Sequence, residues 1–381
     1  MKPFKGATFD SRAVKPGMLF VAVKGEKVDG RAFIPQALAA GAAEVVEGYE
    51  ALAEVARDYR RTLSAPVIAV TGSAGKTTTK ELLAAFLSRI GKTHATKGNF
   101  NNQLGLPITL LNAPAEADFV VVEMGTNHPG EIARLCDIAE PDAGVITNVG
   151  SAHLEFFGDA AGIAREKGIV GARAKSFFVI GENNVCRDQL KAMCRCEAVL
   201  APCALDWLAK PLAAVLPGAH NLSNASLAYA VAARYGVTRD QALAALADFA
   251  LPGARGRRLV KAGVAFIDDT YNANPDAMIA ALEALKAEPC EGRRIAILGD
   301  MFELGPTSAA LHARVFEHAQ KLGLDAVIAV GEKSSACACT AAYPTVAALK
   351  SDFARFVSPG DLVLLKASHG MALGKLLEEE A

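Results

Sequence analysis

The chain has 381 residues, with 40 Lys+Arg against 41 Asp+Glu, 51% hydrophobic and only 6% aromatic residues. That length suits two or three domains, each with its own core. A formal net charge of −1 argues against a protein built to bind nucleic acid or an anionic membrane, and the apolar content excludes general disorder. The start, MKPFKGATFDSR, lacks the apolar core of a secretory signal. The uncharged stretch 211–233 carries His220, Asn221 and Asn224, so no membrane insertion is expected. Eight cysteines without an export signal read as reduced thiols, and a cytoplasmic protein is expected.

In chain order, residues 1–64 predict a small α/β domain: a short FVAV strand, a helix over about 31–42 and an amphipathic helix over 50–63. From residue 66, short apolar runs alternate with helical stretches. The strands are expected at 66–72, 118–125, 143–150 and 176–181, then 264–272, 293–301, 325–331 and 361–368. Their nearly continuous apolar character suits parallel strands covered on both faces. Helices are expected at 76–90, 221–235, 238–249, 275–286 and 307–322. LPGARGR (251–257) interrupts a helix-rich segment and marks a boundary. The reading is therefore α/β with three domains, over 1–64, 65–250 and 251–381.

The strongest local signal is Gly72-Ser73-Ala74-Gly75-Lys76-Thr77-Thr78, after an apolar strand and at the start of a helix. Glycines let N–H groups turn toward phosphate oxygens, and the helix N-terminus adds positive potential. Lys76 would reach the β- and γ-phosphates, and the Thr77 hydroxyl would serve a Mg²⁺ ion. The spacing departs from G-x-x-x-x-G-K-[ST], because Val70 stands where that pattern begins. A nucleoside triphosphate, ATP, is the expected ligand; a glycine-rich helix entry with no ligand is the bland alternative. Glu123 ends a buried strand, where ligands of open α/β sheets collect, and can hold Mg²⁺ directly or through water. Taken singly, His153 reads as a packed ring and Lys167 as a solvated helix charge; their shared position beyond strand ends favours a site.

The segments TGSAGKTTTKE (71–81), KGNFNNQLGLPITLL (97–111), EMGTNHPGEI (123–132), ITNVGSAHLEFFG (146–158) and IAREKGIV (163–170) together resemble the Mur ligase family. So do HNLSNASLAYAVA (220–232), DDTYNANPDAM (268–278) and LGDMFELG (298–305). GNFNN, YNANP and LGDMxELG resemble the members that join D-alanyl-D-alanine to UDP-N-acetylmuramoyl-tripeptide. The resemblance implies a UDP-muramoyl-peptide-binding domain, a central ATPase with a mostly parallel sheet, and a C-terminal Rossmann-like domain. It implies ATP and Mg²⁺ as cofactors, a monomer, and peptide-bond formation through an acyl phosphate.

Residue by residue, the resemblance implies Lys76, Glu123, His153 and Lys167 as catalytic. Thr77, Glu123, His153 and Lys167, the last as a carbamate, would be metal ligands. Asn221, Asn224, Arg257 and Asp269 would join the loop in binding ATP. Ser11, Arg12, Asn101, Asn102, Asn272 and Asn274 would contact substrates; Asn272 and Asn274 stand equally in strong turn chemistry. An ordinary surface charge is the simpler reading of Arg12 taken alone.

Some features depart from the family pattern. The segments 44–65 and 181–216 are short, the chain begins almost at its Asp-Ser-Arg triplet, His369 stands where Arg is usual, and Arg31 where His is common. Cys186, Cys194, Cys196 and Cys203 fall within the second short segment, but Cys-x-Cys is not the usual zinc spacing. The expected alternatives are a Mur-type ligase for another amino acid or a non-muramoyl acid, and a non-catalytic nucleotide-binding paralogue.

Overall fold

The computed structural model describes residues 4–25, 28–150 and 154–378. Three sheets follow one another along the chain. The first is parallel, in the order β1 (Ala7–Thr8), β2 (Leu19–Ala22), β3 (Glu44–Glu47). The second contains β4 (Val67–Thr71), β5 (Thr93–Ala95), β6 (Phe119–Glu123), β7 (Ala143–Ile146), β8 (Phe177–Gly181) and β9 (Glu197–Ala201). Its order is β5-β6-β4-β7-β8-β9, and every pair is parallel.

The third sheet contains β10 (Arg257–Lys261), β11 (Val264–Asp269), β12 (Arg294–Gly299), β13 (Ala326–Val330), β14 (Ala341–Tyr343) and β15 (Leu362–Lys366). Its order is β10-β11-β15-β12-β13-β14, with only the β10–β11 hairpin antiparallel. All eight expected strands form, and so do the five expected helices from residue 76 onward, with ends shifted by a few residues. The 31–42 stretch is shorter than expected: a 3₁₀ turn, Gly30–Phe33, leads into the helix Ile34–Ala39, with Pro35 at its first turn.

Burial explains the regularity. β4, β7 and β8 are buried at every residue, as strands covered on both faces must be. On one face lie α1 (Lys76–Leu87) and α3 (Ala219–Arg234), which bury Leu82, Leu83 and Phe86 against Ala225, Ala228, Val231 and Ala232. The alanines let the two helices approach closely, so α3 reaches the phosphate loop at its own first turns.

The helix Tyr49–Thr62 buries Leu52, Ala53, Ala56 and Arg60, one stripe at helical spacing. Arg60 is 5% exposed and reaches out of its own segment. It donates to the Ala139 and Glu140 carbonyls at 2.8 and 3.1 Å, and to Asp142 Oδ2 at 2.6 Å. That carboxylate oxygen also accepts the Val67 N–H at the start of β4. A buried guanidinium thus fastens the first segment to the amino-terminal ends of the central strands β4 and β7 of the second sheet. Arg60→Met leaves the Asp142 carboxylate and two carbonyls with one donor fewer, so we expect a loss of about 3 kcal/mol in chemical denaturation, with Asp142→Asn costing less.

Candidate functional site

β4 ends at Thr71, and Gly72 and Gly75 then take φ values of +143° and +76°, a conformation open to glycine. A Cβ on Gly72 would lie 1.9 Å from Thr147 Oγ1, and one on Gly75 would lie 2.3 Å from Asn224 Oδ1. The loop is therefore gripped from both sides as well as turned tightly. Asn148 Oδ1 accepts the N–H groups of Ser73 and Ala74 at 3.1 and 2.9 Å, Thr147 Oγ1 donates to the Ala74 carbonyl, and the Gly150 N–H donates to Ser73 Oγ. Lys76 Nζ folds back to the Gly72 carbonyl at 2.9 Å. Burial draws its pKa down, while Glu123 opposes this and Arg255 adds to it.

Glu123, 1% exposed at the end of β6, is the hub beside the loop. Its Oε2 accepts the Thr77 hydroxyl at 2.8 Å and its Oε1 accepts Asn101 Nδ2 at 2.8 Å. Its own N–H donates to Thr96 Oγ1. A hydroxyl and a carboxylate oxygen in contact suit a hard, oxygen-seeking cation such as Mg²⁺. Lys167, at the end of α2 (Ala160–Lys167), is 0% exposed, and its Nζ has no hydrogen-bond partner among the described residues. Burial, then the nearby Lys76, hold its pKa well below the ordinary lysine value, with Glu166 opposing. Glu166 accepts the N–H groups of Gly130 and Ile132 at 2.9 and 2.8 Å, which fixes the end of α2 against the helix Glu131–Ala139. Lys167 therefore lies close enough to Lys76 to feel its charge, with no hydrogen-bond partner for its amine among the described residues.

A cleft of about 940 Å³ lies between the second and third sheets, and Lys167 is not among the described residues lining it. Ser73 to Thr78, Asn101, Asn102, Glu123, Asn221, Asn224, Asp269, Asn272 and Asn274 all line it. Several have local duties too. Asn102 Oδ1 accepts the Leu104 and Gly105 N–H groups, Asn221 Nδ2 donates to the Pro217 carbonyl, and Asn274 caps α4 (Pro275–Ala287) by accepting the Ala277 N–H. Asp269 Oδ2 accepts Lys366 Nζ at 2.6 Å, and that ammonium also donates to the Asn272 carbonyl. His220, exposed at the cleft wall, stands close enough to this pair to feel both charges.

Some expected positions lie elsewhere. Arg257 sits opposite Asp268 in the β10–β11 register and donates to its buried carboxylate at 2.9 Å. The arginine lining the cleft among the described residues is Arg255, two residues earlier and ahead of the strand, with its guanidinium 3.6 Å from the Tyr271 ring centroid. Ser11 and Arg12 are not among the described residues lining the cleft. Ser11 Oγ donates to Gln36 Oε1, and Arg12, exposed, makes a two-pronged pair with Asp10. Nearby in sequence, the Phe9 ring packs at a tilt 5.6 Å from that of Phe100, whose neighbours Asn99 and Asn101 line the cleft. His153 lies outside the described residues.

The four cysteines of segment 181–216 point to separate partners. Cys186, Cys196 and Cys203 face Ala160 O, Gly171 O and Asn183 Oδ1, and Cys194 faces Leu190 O. No cluster of three metal-ligating side chains occurs among the described residues, and no described helix is long and apolar enough to cross a membrane. Sequence reasoning missed Asn148, Arg255, His220 and Lys366. The first stands inside ITNVG, and the second carried a signal in the same Arg-Gly-Arg that suggested Arg257.

The comparisons with known proteins come from three directions. Family profiles described as "Mur ligase family, catalytic domain", "Mur ligase middle domain" and "Mur ligase, glutamate ligase domain" match residues 3–91, 70–201 and 255–369. The chain is 37% identical over 371 residues to the UDP-N-acetylmuramoyl-tripeptide–D-alanyl-D-alanine ligase of Escherichia coli K12, covering 86% of this chain and 82% of that one. The Bacillus subtilis ligase of the same name is 32% identical, with 98% and 92% covered. Among solved structures, MurF from Acinetobacter baumannii superposes with a TM-score of 0.86 at 29% identity, covering 98% of this chain and 92% of that one. MurF from Thermotoga maritima in complex with ADP gives 0.84 at 29%, covering 99% and 97%. Three matched profiles in chain order and these near-complete alignments place the chain in the Mur ligase family.

Proposed function

We propose that the protein joins D-alanyl-D-alanine to UDP-N-acetylmuramoyl-tripeptide, using ATP and forming the peptide bond through an acyl phosphate. The observation that carries this reading is the meeting, at one cleft, of the phosphate loop, the Glu123–Thr77 pair and residues of the third sheet. The names of the relatives above support the choice of substrates. ATP and a UDP-linked precursor are intracellular metabolites, which makes the cytoplasm the place of action, and a single chain holds every group the reading needs.

A carboxylate is a poor electrophile, so its oxygen must first take the γ-phosphoryl group; the amine then attacks, and phosphate leaves. Charge builds on the transferring oxygens, so donors and cations aimed at them supply most of the stabilisation. Lys76 exchanges its carbonyl partner for phosphate oxygens, and Arg255 brings a second cation from the other side of the cleft. Asn224 keeps Gly75 in place, while Asn221 borders the same wall. Asp269 and its partner Lys366 suit the ribose hydroxyls, and Asn101, Asn102, Asn272 and Asn274 suit the substrates' amide groups. Ser11 and Arg12, on the first domain, are proposed for the UDP-sugar, with the Asp10 pair opening to admit it. Mg²⁺, held by Thr77 and Glu123, with His153 and a carbamate on Lys167 at a second position, would neutralise phosphate charge. Burial lowers the Lys167 pKa and so favours the free amine, which would add CO₂ and release a proton to give the carbamate.

Three measurements follow. ADP release with UDP-muramoyl-tripeptide is expected to need D-Ala-D-Ala; release indifferent to the dipeptide would refute the assignment. Lys167→Ala is expected to lower turnover about 100-fold at every Mg²⁺ concentration, the scale of losing one pre-set electrostatic group. Normal turnover across that titration would rule out the carbamate. Gly75→Ala forces a Cβ into Asn224 at a positive φ, so ADP affinity measured by calorimetry is expected to fall at least about tenfold, a change of about 1.4 kcal/mol.

A further inference from the structure

The turn after β12 is held from behind by a buried histidine. His312, one turn into the helix Ser308–Lys321, is 1% exposed. Its Nε2 accepts the Met301 N–H at 2.9 Å, and its Nδ1 lies 2.7 Å from the Ser308 carbonyl oxygen. A carbonyl only accepts, so Nδ1 carries the proton; a backbone N–H only donates, so Nε2 carries none. The two partners select one tautomer of the neutral ring.

What the ring holds is part of the cleft. Phe302, Glu303 and Leu304 follow Met301 and line it, beside Ser368, His369 and Gly370. The Phe302 N–H donates to Ser368 Oγ at 2.9 Å, and Glu303 takes φ +61°, which a non-glycine residue keeps only where its surroundings impose it. A Cβ on Gly305 would lie 3.0 Å from Glu155, so the turn also meets the central domain. The phosphate loop and α3 border another part of the cleft. Phe302, exposed over the buried Leu304, offers apolar surface suited to the methyl groups of a dialanine, with His369 beside it for the carboxylate.

Resting on the ligase reading, we propose that His312 is a positioning residue for the incoming dipeptide: its neutral ring holds the 301–304 turn in the shape that receives the amine component, and protonation releases it. A proton on Nε2 would face the Met301 N–H, donor against donor. The charged groups that act on the ring are Asp300, at the end of β12, and Lys333, after β13, with opposite effects. Burial, the largest influence, lowers the ring's pKa. The hold is therefore complete above the ordinary histidine value and is lost as pH falls through the lower folded one.

The test is steady-state kinetics of the full-length enzyme. Near pH 8, His312→Leu is expected to raise the KM for D-Ala-D-Ala about tenfold, the worth of one buried N–H left unpaired, while the Kd for ADP changes less than about twofold. His312→Gln places an amide oxygen that accepts the Met301 N–H at any pH, and is expected to restore that KM. Lowering the pH stepwise from about 8 over the range in which the enzyme stays folded is expected to raise the wild-type KM relative to that of His312→Gln, a comparison in which ionisation of the dipeptide amine cancels. An unchanged dipeptide KM in folded His312→Leu overturns the proposal. So does a loss shared equally by ADP affinity and kcat, or parallel pH profiles for wild type and His312→Gln. Should His312→Leu fail to fold, the wild-type and Gln profiles decide alone. Wild-type ADP release that ignores the dipeptide would refute the ligase reading, whereas normal release with insensitive variants would refute only the role of His312.

Discussion

A carboxylate removed from water must be surrounded by donors, and the site is built around one such group. Glu123 satisfies its two oxygens with Thr77 of the phosphate-loop helix and Asn101 of the segment after β5, and its own N–H goes to Thr96. Three stretches of chain, from α1, β6 and the loop between β5 and the next helix, are therefore placed by one side chain. Without it, the Thr77 hydroxyl and the Asn101 amide would have no reason to face the same point. The same oxygens are what a divalent cation would take over, so the network that shapes the protein also prepares the metal position.

The cleft depends on a second constraint, the meeting of two sheets at the carboxyl ends of their strands. Open α/β sheets gather their ligands there, and here each sheet contributes half of the wall. The second sheet supplies the loop, Glu123 and α3; the third supplies Arg255, Asp269, Tyr271 and Lys366. Close approaches join the halves: a Cβ on Gly150 would lie 2.7 Å from Asp276 Oδ2, and one on Gly305 would meet Glu155. Relative movement of the halves would open and close the site, and closure would keep water from an acyl phosphate.

Legibility followed local chemistry. The eight buried strands were readable because both faces are covered, so their sequences are apolar almost without interruption. The strands without a readable signal are short or lie at sheet edges: β1, β3, β5, β9, β10 and β14, where one side meets solvent and polar residues intrude. β10 reads Arg-Arg-Leu-Val-Lys and exposes most of its length, so no apolar run announces it. With that strand unmarked, the register that ties Arg257 to Asp268 cannot be read from the sequence, where the family resemblance points to Arg257.

By itself, the sequence determined that this is an α/β protein of three parts with a phosphate loop, a strand-end carboxylate and the segments of the Mur ligase family. Those properties reside in contiguous residues, where hydrophobic period, glycine placement and helix onset act over a few positions. Only the tertiary structure decided which side chains share a space: that Asn148 seals the loop, that Arg255 rather than Arg257 enters the cleft, that Lys167 is buried with no partner among the described residues, and that His312 supports the turn at Met301. Each of these joins positions set by strand register, helix packing or burial, quantities that depend on the whole fold and that a local motif cannot specify.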